Sequence, residues 1–422
     1  MFKSFLFKKQ PKNGSRIYLD NAGATKMSIR SQDALLEALT YYGNASAIHR
    51  DGVEAALYLD RARATAASVL NAHAYELYFV GSGTESCNIA VLGTYNGWRQ
   101  WGEQEAGSKG RESGSDTRDI PHMIVSSIEH PAILEPVRML EKRGLVSVTY
   151  LAVYEDGLVK VHDVREALRE ETILVSVMYA NNEIGTIQKV KEIGRALEEW
   201  KKEHEREHKD YPYFHTDACQ AGNYCNLDVV RLRAHLMSVN GSKVYGPKGI
   251  ALLYKREGIR IEPLVYGGGQ ERVLRSGTED VASAFAFSVA LLEAKDMREK
   301  ESARLEELRD ECVELLQKEI PSIVFYGSFK MGERLPNNIN CRVPGISSEE
   351  MILRLDAVGI SVSHKSACAS SEGNGSYVIE ALGGSGEEAL ENIRITLGRD
   401  TKKKDIETLV REMAGIAKKY RR

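Results

Sequence analysis

An acid and a lysine frame the chemistry this sequence could perform. Asp217 follows the β-rich run Tyr213–His215, and Lys243 stands 26 residues further on in Asn240-Gly-Ser-Lys243, after the run Leu236–Asn240. Open α/β sheets gather their ligand sites at such strand ends. The pair would suit a plain salt bridge. It would equally suit pyridoxal phosphate, whose Schiff base needs a lysine and whose pyridine nitrogen needs a carboxylate to stay protonated and accept electrons from a carbanion. Gly81-Ser-Gly-Thr84-Glu85 lies between the run Tyr75–Val80 and a helical pattern, so its N–H groups either cradle a phosphate or simply turn the chain. His130, after the run Met123–Ile128, is placed to stack on a ring, to shuttle protons, or to fill a structural niche.

The elements that must position these residues follow from the patterning. The 422 residues are 42% hydrophobic and 28% charged, enough for two or three domains with a large core. Short β-rich runs alternate with helical patterns at Ser28–Tyr41, Gly52–Asn71, Pro131–Arg143 and Lys189–His208 through the first two-thirds. That alternation predicts a mostly parallel sheet covered on both faces, an α/β domain. The charged stretch Glu198–Asp210 reads as a solvated helix face, and Trp98–Pro121, rich in Gly, Ser and charge, reads as an exposed insertion. From about Ala282 long charged helices (Leu291–Glu319, Lys403–Tyr420) alternate with short strands near Val324 and Asn340, predicting a second, smaller α+β domain.

A net charge of −3 gives no basic excess for direct nucleic-acid binding. The opening MFKSFLFKKQPKNG is too short and too interrupted by lysine for a spanning helix or a signal peptide, so no membrane role is expected. Six widely spread cysteines without a CxxC pair fit a reducing cytoplasm. Cys87 and Cys312 fall in helical patterns and Cys341 in a strand-like run, where inert buried thiols are expected; Cys219 and Cys225 have a poor metal spacing, and no metal site is expected. Cys368 differs. It lies in the polar, small-residue stretch Ser361–Ser376 beside His364 and Lys365, whose cationic character would favour the nucleophilic thiolate.

Ten ordered motifs extend these readings. Tyr18-Leu-Asp-Asn21, Gly43-Asn44, Thr84-Glu85-Ser86, Glu129-His130, Asn181-Asn-Glu-Ile-Gly185, Asp217-Ala-Cys-Gln220, Lys243-Val-Tyr-Gly-Pro-Lys-Gly249, Gly267-Gly-Gly269, Arg275-Ser-Gly-Thr278 and Ser366-Ala-Cys368 span nearly the whole chain. Together they resemble the NifS/IscS-type cysteine desulfurases, pyridoxal-phosphate enzymes of the aminotransferase class V fold (fold type I). The resemblance implies a homodimer that moves sulfur from L-cysteine to its own cysteine, releases L-alanine, and passes the persulfide to an iron–sulfur scaffold or another sulfur acceptor, for cluster assembly or tRNA thiolation. It implies a large cofactor-binding domain over 27–298 and a small domain of 1–26 with 299–422 that carries Cys368.

Transferred motif by motif, the resemblance makes Lys243 the Schiff-base lysine, Asp217 the pyridinium partner, and His130 the stacking and proton-transfer residue. Gln220 and Asn182 would face the phenolic oxygen side of the ring. Gly83, Thr84, Asn240 and Ser242 would line the phosphate end, with Thr278 arriving from the second subunit. Arg394, in Asn392-Ile-Arg-Ile-Thr-Leu-Gly398, would take the substrate carboxylate, Asn44 would lie in the substrate loop, and Cys368 would receive the sulfur. The chain departs from the usual pattern in Asn240-Gly-Ser242 where most members have Ser-Gly-His, in Gly81-Ser-Gly83 for Ser-Gly-Ala, and in His364-Lys365 before the cysteine motif. A selenocysteine lyase or another class V lyase would use the same cofactor site, and a catalytically weak docking scaffold is the non-enzyme rival.

Overall fold

The computed structural model describes residues 16–108, 120–364 and 375–420. Twelve strands are described: β1 (Ile17–Tyr18), β2 (Leu77–Val80), β3 (His122–Ser126), β4 (Ser147–Leu151), β5 (Thr172–Ser176), β6 (Tyr213–Asp217), β7 (Leu236–Asn240), β8 (Ala251–Lys255), β9 (Val324–Phe325), β10 (Asn338–Arg342), β11 (Ile360–Ser361) and β12 (Asn392–Thr396). Seven form one sheet in the order β2-β8-β7-β6-β5-β3-β4, in which only β8 runs against the others. The inner strands are buried along their whole length because helices cover both faces, which is the pattern of a parallel crossover sheet. This is the mostly parallel α/β architecture expected from the alternation.

The second sheet is three-stranded, β12-β10-β9, with a separate β1-β11 pair beside it. Its apolar cluster gathers Leu19 with Leu305, Cys312, Ile339, Met351, Ile393 and Ile406, all residues from the two ends of the chain. One helix of 39 residues, Val281–Glu319, runs from the large cluster into this one. It begins ten residues before the charged pattern that announced it, because its first ten residues, Val-Ala-Ser-Ala-Phe-Ala-Phe-Ser-Val-Ala, are mostly buried and so carry no amphipathic stripe.

Two surface expectations are corrected. The helical chain continues through Thr94–Ser108, so the Trp98–Pro121 stretch is not an exposed insertion from its first residue. Trp98 packs on the core beside Tyr95, Trp101 lies under the Arg260 guanidinium, and Gly93 and Gly97 let the helix approach the 260–262 backbone. Likewise the Glu198–Asp210 stretch is not a uniformly solvated face. The helix ends at Glu203, and the buried Lys201 donates to the carbonyls of His208 (3.1 Å) and Asp210 (2.7 Å), holding the charged turn against the body.

Candidate active site

The C-terminal ends of β2, β3, β5, β6 and β7 share one edge of the large sheet, and each delivers a residue to the same cavity. The turn after β2 brings Gly83 and Thr84, that after β3 brings His130, and that after β5 brings Met178, Ala180 and Asn182. Asp217 ends β6, with Cys219 and Gln220 just beyond it, and Asn240 and Lys243 follow β7. Arg394 enters from β12 of the small sheet, and Ala22 and Gly23 from the segment after β1 complete the wall. The cavity encloses about 710 Å³ including its open mouth.

Local structure fixes each group. Lys243 ends a short 3-10 turn, and its Nζ donates to the carbonyls of Ala22 (2.6 Å) and Gly23. Asp217 is buried, and its Oδ1 accepts from the Cys219 N–H at 2.9 Å. His130 caps the Pro131–Lys142 helix by accepting the Ala132 N–H at Nδ1 (3.1 Å), which assigns its ring proton to Nε2. Burial lowers its pKa despite the Asp217 carboxylate, with Lys243 and Arg394 adding to the fall, so the imidazole is neutral. Beneath it Glu129 is fully buried, accepting from Ser126 Oγ (2.7 Å) and the Met178 N–H (2.6 Å), and burial pushes its carboxyl up to about 8.

Two cavity side chains carry buried polar atoms with no partner among the described residues: Asn182 Oδ1 and Arg394 Nε. The remainder of the Arg394 fork is occupied, one arm donating to the Asn182 carbonyl (3.0 Å) and the other to Asp20 Oδ1 (2.8 Å). The arrangement combines an amine, a carboxylate, a neutral imidazole, N–H groups at the start of a helix, and an arginine with an unused donor. It can hold a ring bearing a phosphate and a basic nitrogen beside a substrate carboxylate.

Not every expected residue converges. The Ser242 hydroxyl bonds Asn240 Oδ1 (3.2 Å) and does not line the cavity. Asn44 is exposed in its own turn, accepting the Ser46 N–H, and Thr278 is exposed and borders a different cleft with Arg275 and Glu271. Cys368 and Lys365 lie outside the described residues. The chain on either side of them is anchored at the cavity wall. Ser363 exchanges backbone hydrogen bonds with Arg394 (2.7 and 3.1 Å), and Ser376 Oγ donates to Glu183 Oε2 (2.5 Å) beside Asn182. The other five cysteines are free thiols; Cys87, Cys312 and Cys341 are buried as expected, and Cys225 is buried as well. No group of three or more His, Cys, Asp or Glu residues suited to a metal occurs among the described residues.

Asp20, the Ala22 and Gly23 carbonyls and Cys219 were not assigned roles from sequence. Asp20, directly after the apolar run Ile17–Leu19, is the one sign in the sequence that the N-terminal segment meets a buried cation.

The geometry has close counterparts. The chain is 37% identical over 406 residues to a cysteine desulfurase IscS of Dictyoglomus turgidum, covering 96% of this chain and 95% of the relative. It is also 37% identical to a cysteine desulfurase IscS of Methanosarcina thermophila, covering 96% and 93%. Among solved structures, a NifS-like protein superposes with a TM-score of 0.82 at 29% identity, over 96% of this chain and all of the other. The protein SspA in complex with cysteine superposes with a TM-score of 0.71 at 28% identity, over 91% and 99%. With the aminotransferase class-V pattern matching residues 17–409, the chain belongs to that family.

Proposed function

We propose that the chain is a pyridoxal-phosphate-dependent cysteine desulfurase, converting L-cysteine to L-alanine and passing the sulfur to Cys368. The observation that carries this reading is one cavity holding Lys243, Asp217, His130 and Arg394, with unpartnered atoms on Asn182 and Arg394, walled by the residues to which the Cys368 segment is anchored. The donor set fits the cofactor: an amine for its aldehyde, a carboxylate for its ring nitrogen, and the Gly83 and Thr84 N–H groups for its phosphate. When bound, the cofactor supplies an electron sink for the amino-acid Cα.

The chain's own residues do the rest. His130 presents its Nε2–H side to the cavity, since Nδ1 is committed to the helix cap. Arg394 offers Nε–H to the substrate carboxylate and so orients the amino acid. The Cys368 thiolate attacks the substrate sulfur: the S–S bond forms as the substrate Cβ–S bond breaks, the bonding pair leaves with the carbon, where a proton completes the methyl group of alanine, and the persulfide stays on the protein. Covalent geometry allows this. Cys368 is four residues from His364, at most about 14 Å of extended chain, and Ser363 is already paired with Arg394.

Assembly completes the reading. Ile29, Leu39, Tyr42, Ile48, Leu57, Tyr266 and Val273 are large apolar side chains left exposed, surface that a second copy of the chain would cover on association. That copy would carry Thr278 to the neighbouring cavity. The large domain 27–298, the small domain 1–26 with 299–422, a cytoplasmic setting, and transfer of the persulfide to an iron–sulfur scaffold or another acceptor protein belong to the same proposal. No described helix is long and apolar enough to cross a membrane.

The test follows the sulfur. Wild-type protein given L-cysteine without reductant should carry one added sulfur on the Cys368 peptide. Cys368→Ser should keep the substrate-induced change in visible absorbance yet release neither sulfide nor alanine at a useful rate. Lys243→Ala should abolish the borohydride-trapped cofactor adduct, whereas Lys248→Ala, at an exposed position outside the cavity, should not. Near-normal alanine release by Cys368→Ser would show a lyase acting directly on its substrate, and sulfur found mainly on Cys219 would show the wrong acceptor.

A further inference from the structure

Cys219 has no part in the chemistry above, yet its thiol lines the cavity between Asp217 and Gln220. Gly83, on the facing wall, explains how it fits. A Cβ built on Gly83 would stand 2.9 Å from Cys219 Sγ, closer than real carbon contacts permit, while Asn240 lies farther away at 3.2 Å from its Nδ2 and 3.4 Å from its Cβ. The sulfur therefore occupies the space that any side chain at position 83 would claim. Cys219 is also tied to the cofactor's expected partner, since its backbone N–H donates to Asp217 Oδ1 at 2.9 Å. Burial, and next the Asp217 charge, raise its pKa well above that of a free thiol, so it is a neutral contact and a poor nucleophile.

We propose that Cys219 is a positioning residue for the cofactor: its thiol, admitted to the cavity wall by the bare backbone of Gly83, sets the fit of the ring against Asp217. This rests on the reading that the cavity holds pyridoxal phosphate. The two positions then behave as one unit, in which size can be added at one only by removing it at the other.

Titrating cofactor-stripped protein with pyridoxal phosphate tests the coupling. Gly83→Ala should weaken binding tenfold or more, the usual consequence of overpacking a filled site. Cys219→Ala should shift the visible absorbance of the bound cofactor, because a group beside Asp217 has gone. The double variant Gly83→Ala/Cys219→Ala should bind as Cys219→Ala does, the added methyl now having room. Wild-type affinity in Gly83→Ala, or a double variant as weak as the product of the two single losses, would overturn the proposal. Failure of the wild type to bind pyridoxal phosphate at Lys243 is a distinct outcome, which removes the underlying functional reading.

Discussion

Replacing Arg394 by lysine separates substrate orientation from every other function of the cavity. Arg394 is 2% exposed, with one fork arm on the Asn182 carbonyl, the other on Asp20, and Nε–H unused. A carboxylate bound at the Nε edge would take that N–H together with an adjacent one, the bidentate mode only a guanidinium offers. Lysine keeps the charge but presents a compact ammonium without the fork. Loss of one charge-assisted hydrogen bond costs about 1.5–3 kcal/mol, which at ~1.36 kcal/mol per decade is about 10- to 150-fold in kcat/KM for L-cysteine. The contact is the same before and during reaction, so the loss should fall on KM with kcat little changed. Asp20 is a quarter open to solvent and is not stranded as a buried charge by the exchange. The assay is steady-state sulfide and alanine release under reductant, with cofactor occupancy followed by visible absorbance. Cysteamine, which lacks the carboxylate, serves as the second substrate. Arg394→Lys should match wild type with cysteamine. An equal penalty on both substrates, or a fall in kcat at constant KM, would refute the orienting role.

Three further outcomes follow from buried groups. Glu129 has a raised folded pKa of about 8, so its contribution to stability is full below the ordinary carboxylate range near 4.5 and is lost as pH rises through 8; the urea midpoint of Glu129→Gln should therefore gain on wild type between pH 5 and about 8.5, and a pH-independent difference would contradict the buried neutral acid. Arg63 pairs with Glu271 through two bonds of 2.8 Å, both side chains nearly inaccessible, and tethers the segment that carries Thr278. Arg63→Met should cost about 3–5 kcal/mol in urea unfolding, and Arg63→Met/Glu271→Gln should recover much of it, because the stranded charge is the main penalty. Ser376→Ala removes both the Glu183 contact and the helix cap given to the Ile379 N–H; single-turnover persulfide formation on Cys368 should slow while KM for L-cysteine holds, and a changed KM with unchanged transfer would show that Ser376 serves the substrate side instead.

The acid and the lysine were legible because a parallel sheet places the C-terminal ends of its strands along one edge. Residues directly after β2, β3, β5, β6 and β7 had to be neighbours once the crossover pattern was read. Arg394 was not legible that way. It stands 151 residues beyond Lys243 in an antiparallel strand of the other sheet, and only the family resemblance tied it to the site. Strand β4 was missed because Ser147–Leu151 is a half-exposed edge strand without a continuous apolar run. The helix through Trp98 was misread because composition averaged a polar surface with two aromatic contacts, and the Lys201 latch because charge was equated with solvent. Local pattern reports burial by an element's own neighbours; it does not report a cation drawn inward by carbonyls of a distant turn.

The small sheet shows why this cavity needs a second layer at all. Arg394 pairs through its backbone with Asn340 on one side and Ser363 on the other, so the residue proposed to hold the substrate is also an anchor for the segment containing Cys368. The opposite end of that segment returns to Glu183, whose neighbour Asn182 accepts a hydrogen bond from Arg394. The contacts thus close a ring: Arg394 to Ser363, along the chain to Ser376, to Glu183 and Asn182, and back to Arg394. A carboxylate bound at Arg394 and a thiol carried between Ser363 and Ser376 would therefore be held through the same set of contacts, and Asn182 joins that set to the large sheet whose strand ends carry Asp217 and Lys243.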